Sequence, residues 1–204
     1  MFHPATTTLA LAATFLFAGA AAAQIQIRGQ VEAGQVSTCY YCPTVTSFVI
    51  HGSETPIRSS SIDFSALVGQ TCIFTGTWGG TAALPIFDVT AAQLTSSLFS
   101  IHGNSSLGNT VRFQTSAGTG DIALNLIGLN AGAFTLTDVA TFLLNPSQSA
   151  VLGMGTSTNG TVRTDLVIPS TPALVGMHFF GQAVILPANG APFFTTEPDH
   201  KRVQ

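Results

Sequence analysis

The segment Gln24-Ile25-Gln26-Ile27-Arg28-Gly29-Gln30-Val31 alternates strictly, with Ile25, Ile27, Gly29 and Val31 on one side and Gln24, Gln26, Arg28 and Gln30 on the other. A period of two is that of a pleated strand with one buried face, and a helix does not present its side chains this way. Upstream the pattern is different. From Leu9 to Ala23 every residue is apolar or small except Thr14, and the run ends in Ala21-Ala22-Ala23 before polar Gln24. Fifteen helical residues rise about 22 Å, short of the roughly 30 Å hydrocarbon core, so the run is too short to span a bilayer. It reads as a secretory signal peptide, residues 1–23, cleaved near Ala23. Its leading segment, Met1 to Thr8, carries no Lys or Arg, only His3 and the terminal amine. No cysteine follows the run to take a lipid. No later stretch reaches 18 uninterrupted apolar residues, so no membrane span is expected in the mature chain.

Cleavage leaves 181 of the 204 residues, enough for one large β domain or two small ones. Charged residues are 7% of the chain, against about 25% in an average protein. Six basic residues cannot build a phosphate-binding face, which argues against a nucleic-acid partner. The abundance of alternating Val, Ile, Leu and Phe argues equally against disorder. The surface is left to Ser, Thr, Asn, Gln and Gly. That composition suits a secreted or cell-surface protein.

Working downstream, strands are expected at Ser47–Gly52, Thr71–Gly76 and Pro85–Thr90, the last two joined at Gly79-Gly80. Glu54–Ser61 is polar and reads as a loop. Ala91–Ser97 is the one place for a short helix, a connector between two halves. Beyond it strands recur at the spacing of a sandwich: Leu98–His102, Thr110–Thr115, Asp121–Gly128, Ala133–Thr137, Ala140–Asn145, Ala150–Gly153, Thr161–Ile168, Ala173–Leu186 and Pro192–Thr196. Glu197, Asp199, Lys201 and Arg202 lack apolar periodicity and read as a solvated tail. The expected organisation is a cysteine-bearing barrel over residues 24–96, an antiparallel β-sandwich over 97–197 and a charged tail over 198–204.

Two segments carry resemblances. Phe48-Val49-Ile50, Ile62 to Gln70, Cys72-Ile73-Phe74-Thr75-Gly76 and Ile86-Phe87-Asp88-Val89 together resemble an OB-like small barrel, with Gly69 placed for a turn and Gly76 for a bend. Ile168-Pro169-Ser170-Thr171-Pro172-Ala173-Leu174-Val175-Gly176, followed by Gln182, resembles a poorly characterised group of secreted β-sandwich proteins of environmental bacteria. That resemblance implies a fold and export, with no activity, cofactor or catalytic residue attached. The chain departs from the pattern at its end, where Phe193-Phe194-Thr195-Thr196 gives way to charge.

Candidate chemistry is sparse. Cys39, Cys42 and Cys72 are three, so at most one internal disulfide forms, and a bond from Cys39 or Cys42 to Cys72 is the favoured pairing. It would close a loop of about 30 residues and stabilise the fold by roughly 3–4 kcal/mol in the chain-entropy model. A tetrahedral zinc site drawn from Cys39, Cys42, Cys72 and His51 is the weaker alternative. A redox pair lacks its βαβ setting, and a c-type haem site would need histidine where Pro43 stands. Tyr40, Tyr41 and Trp78 form a candidate sugar-stacking set, although Trp78 shares its alternation with Cys72 and Phe74 and so reads first as a cap on the barrel core. His51, His102 and His178 look dispersed, with His178 and Gln182 readable as a polar surface pair. Asp63, Asp88, Asp121, Asp138 and Asp165 form no carboxylate pair, and no G-x-S-x-G elbow is present. No cofactor is expected. The chain reads as a non-enzymatic structural or adhesive surface protein whose partner is extracellular matrix, a surface protein or a glycan. A carbohydrate-binding module is the alternative, and a secreted hydrolase the remote one.

Overall fold

The computed structural model describes residues 24–34, 48–81 and 84–204. The period-two segments form strands, and the fold is all-β. Among the described residues no helix is long and apolar enough to cross a membrane.

The first five strands are β1 (Ile25–Ala33), β2 (Phe48–Ile50), β3 (Thr55–Arg58), β4 (Thr71–Thr81) and β5 (Leu84–Leu94). They close into a barrel in the order β1-β2-β3-β5-β4, with β4 returning to β1. All pairs are antiparallel except β3 with β5, where Ile57 lies opposite Phe87. This is the OB-like barrel the glycine and hydrophobic pattern resembles. Alternation drives Ile27 and Val31 inward to meet Ile50, Ile57, Cys72, Phe74, Phe87 and Val89. Phe64 plugs one end from a short 3-10 turn, Phe64–Leu67, begun by the Asp63 carboxylate accepting from the Ser65 amide. Its ring packs against Phe48 and Phe74.

Gly76 is required by a close approach. It sits where the β4–β5 register slips between Thr75 and Gly76, and a Cβ placed on it would lie 2.1 Å from the Asp88 carbonyl oxygen. The slip bends the barrel wall, as a bulge does.

The remaining strands are β6 (Phe99–Gly103), β7 (Thr110–Ser116), β8 (Ile122–Gly128), β9 (Ala131–Thr137), β10 (Ala140–Leu144), β11 (Ser149–Thr156), β12 (Thr161–Val167), β13 (His178–Leu186), β14 (Phe194–Thr195) and β15 (Asp199–Arg202). One sheet has the order β12-β7-β6. A second runs β11-β8-β13, and β14 and β15 both pair with β13. Phe99, Ile101, Val111 and Phe113 of the first sheet meet Phe179 and Ala183 of the second, the inner core of an antiparallel sandwich. The β9–β10 hairpin reaches across to the barrel: Leu143 is buried in the barrel core, and the Asp138 carbonyl accepts from the Gln26 amide.

Five local expectations are corrected. The polar stretch Glu54–Ser61 contains β3, because ladder bonds to β2 and β5 bury Ile57 despite its polar neighbours. Ala91–Ser97 is no helix: β5 continues to Leu94, with Ala92 opposite Phe74 and Leu94 opposite Cys72. The expected strand Ala173–Leu186 begins only at His178, since Pro172–Leu174 forms a 3-10 turn, and Pro192–Thr196 contracts to Phe194–Thr195. The charged tail is ordered. Asp199–Arg202 pairs with His178–Gly181, and Glu197 is only 3% exposed, with three donors on its Oε1 while its Oε2 is buried without a hydrogen-bond partner.

Candidate functional site

Cys39, Tyr40, Tyr41 and Cys42 lie outside the described residues. Cys72 stands opposite Gly29 and Leu94 with its thiol in the barrel core, where burial pushes its pKa up and keeps it protonated and unreactive at neutral pH. Trp78 packs edge-on to Phe87, ring centres 5.0 Å apart, and its indole N–H donates to Thr135 Oγ1 at 2.9 Å. Its polar handle thus holds the β9–β10 hairpin onto the barrel.

His51 has company that its sequence position did not announce. It opens the β2–β3 turn, its Nδ1 lies 2.9 Å from Glu32 Oε2, and its Nε2 lies 3.4 Å from Asp199 Oδ1. The turn comes this close because Gly52, at φ +80°, lets its backbone lie directly on β15: a Cβ there would sit 2.8 Å from the Asp199 Cα. His200 follows, its ring centre 5.2 Å from that of His51 and 6.0 Å from that of His178. His51 and His178, which look dispersed along the chain, therefore converge with His200 around β15, while His102 pairs with Ser100 elsewhere. The expected His178–Gln182 surface pair does not form: His178 is exposed, while Gln182 is fully buried with its amide nitrogen donating to the Thr141 and Thr196 carbonyls.

The electrostatics of the cluster are asymmetric. The hydrogen bond to Asp199, helped by Glu32 and opposed by burial, raises the His51 pKa from 6.5 to about 9. Burial pushes the Asp199 carboxyl up, but hydrogen bonds from His51 and from the Ile101 and His200 amides outweigh it and hold the pKa low. His200 is held neutral by burial and by the charge on His51. One ring nitrogen of each of His51 and His200 and one carboxylate oxygen of Asp199 lie within 4.8 Å of one another, a donor set able to hold a metal ion.

A pH dependence follows for the metal-free protein. The folded-state pKa of His51 lies above its unfolded value, so its stabilisation is complete below about pH 6.5 and is lost as pH rises through about 9. Discounted for partial exposure, it amounts to roughly 2 kcal/mol. Thermal unfolding in chelator-treated buffer is expected to show Tm falling between pH 6.5 and 9, with His51→Gln flattening that part of the profile. An identical profile in parent and variant would contradict the assignment.

The second feature is a surface. On the outer face of the β11-β8 pair the registers align Thr156 with Ile122, Met154 with Leu124 and Val151 with Leu126, while the adjoining Val184 and Gln182 of β13 are buried. Met154 is 69% exposed and Val151 58% exposed. On the neighbouring hairpin Phe134 and Leu136 are exposed as well. From Phe113 to Val162 the only charged residues are Asp121 and Asp138.

Asp199, His200 and Glu32 escaped the sequence reading. The one signal for them was the adjacent Asp-His pair inside a charged run, a pattern that solvated termini share. No protein-family model and no curated protein matches the chain.

Proposed function

We propose that the chain is an exported, non-enzymatic structural or adhesive surface protein that works through surface-to-surface association. The observation that supports this reading is the uncharged, apolar outer face of the β11-β8 pair, where Met154 and Val151 stand exposed in register with Leu124 and Leu126 beside exposed Ile122. Exposed apolar patches of this kind mark association surfaces on soluble proteins. The apolar run ending at Ala23 and the 7% charge content support export, and the resemblance of the Ile168–Gly176 segment points the same way. The glycan-binding alternative is the less favoured, because Trp78 is engaged by Phe87 and Thr135.

The test compares the mature protein with a Val151→Lys/Met154→Lys variant for sedimentation behaviour and for adhesion to cells, glycans and matrix-coated surfaces. Both side chains point to solvent, so Tm is expected to hold. Association or adhesion is expected to weaken roughly tenfold or more, since desolvating added charge costs well over 1.4 kcal/mol. A parent protein that stays monomeric and adheres to nothing would end the proposal.

A further inference from the structure

We propose that His51, Asp199 and His200 form a binding site for a divalent transition metal of the zinc class, tying the β2–β3 turn of the barrel to the last strand of the sandwich. Two imidazole nitrogens and one carboxylate oxygen within 4.8 Å of one another are the right chemistry for such an ion, which takes nitrogen and oxygen donors at about 2.0–2.2 Å. Donors bound to one tetrahedral ion stand roughly 3.3–3.5 Å apart. The 3.4 Å between His51 Nε2 and Asp199 Oδ1 falls in that range.

Two further observations single this cluster out. The Nδ1 atom of His200 is buried and has no hydrogen-bond partner, an unusual state for a ring nitrogen inside a folded protein. The surrounding groups also have the arrangement of a metal site's outer shell. Glu32 takes the Nδ1 side of His51 at 2.9 Å, which fixes the ring and presents Nε2 toward Asp199, the carboxylate–histidine arrangement that orients a metal ligand. Asp199 is itself held, its Oδ2 accepting from the Ile101 amide at 2.7 Å and its Oδ1 from the His200 amide at 2.7 Å. Two ligands come from a paired strand and the third from a turn pinned by the Gly52 contact, so the donors are positioned before any ion arrives. Three protein donors leave a coordination position for water or for a group from a partner.

The competing explanation is a plain ion triad, with protonated His51 bridging Glu32 and Asp199. Untagged protein loaded with zinc separates the two. Equilibrium dialysis at micromolar zinc is expected to give one ion per chain. X-ray absorption of the loaded, unmodified protein is expected to show only nitrogen and oxygen neighbours near 2.0–2.1 Å, with imidazole scattering behind them. Replacing both His51 and His200 by glutamine is expected to abolish the bound ion, and Glu32→Gln to weaken binding about ten- to a hundredfold, with folding checked by circular dichroism. Failure to retain zinc would overturn the proposal. So would sulfur neighbours near 2.3 Å, which would place the ion on the cysteines. Undiminished binding by a folded double variant would overturn it too. If that variant does not fold, the absorption spectrum of the parent decides.

Discussion

Replacing Glu197 by alanine is expected to lower the stability of the protein by about 3–5 kcal/mol. The side chain is 3% exposed, and its Oε1 accepts from the Ser97 hydroxyl, from the Leu98 amide and, at 2.9 Å, from the Phe99 amide. Ser97 and Leu98 precede β6, and the Phe99 amide opens it. Truncation leaves two backbone donors without an acceptor in a buried seam, each costing about 1–3 kcal/mol, while the Ser97 hydroxyl keeps the Phe99 carbonyl at 3.2 Å. Glu197→Gln keeps an acceptor oxygen in place and is expected to lose less, the remainder reflecting the charge that faces Arg28. The midpoint of urea unfolding at constant m measures both. A loss under about 1 kcal/mol for the alanine variant would mean that the first amides of β6 find other partners.

Gly76→Ala should cost about 3 kcal/mol or more, by an unrelated route. The added methyl would meet the Asp88 carbonyl oxygen at 2.1 Å and its carbon at 2.9 Å. Both are backbone atoms of β5, so relief requires moving a strand. Gly69→Ala is the control that separates space from conformation. Gly69 lies at φ +79° with nothing within 4 Å of its would-be Cβ, so its cost is limited to the left-handed backbone, about 1–2 kcal/mol. Thermal unfolding of the two variants side by side tests the comparison, and equal losses would refute the clash argument.

How far the sequence could be read depended on what holds each element. β1, β4, β7 and β12 alternate and are buried on one face, so the hydrophobic period marks them directly. Phe74 shares the alternation of Cys72 and is core for the same reason, whereas Phe64 is core from a 3-10 turn that no period marks. β3 was not, because a four-residue strand with Pro56 inside it has too few apolar positions to show a period, and its place depends on β2 and β5. Ala91–Leu94 carries helix-favouring residues, yet the ladder with β4 overrides a preference worth only tenths of a kcal/mol per residue. The tail was the largest omission. Charge usually signals solvent, but Glu197 is buried and Asp199 half-buried where specific amides and a histidine meet them, and nothing local announces such partners. The histidine cluster was hidden for the same reason, since His51 and His200 stand 149 residues apart in the chain.

The segment from Glu197 to Arg202 also sets an order of events. It supplies the acceptor for the first amides of β6, a partner for one end of β13 and two members of the histidine cluster. A nascent chain exposes its N-terminal segments first and folds them as they emerge. The barrel has all five of its strands once residue 94 is clear, but its core still lacks Leu143. The sandwich cannot complete its seam until residue 202 has been made. Until then the sandwich stays unlocked, and Glu197–Arg202 acts as its latch.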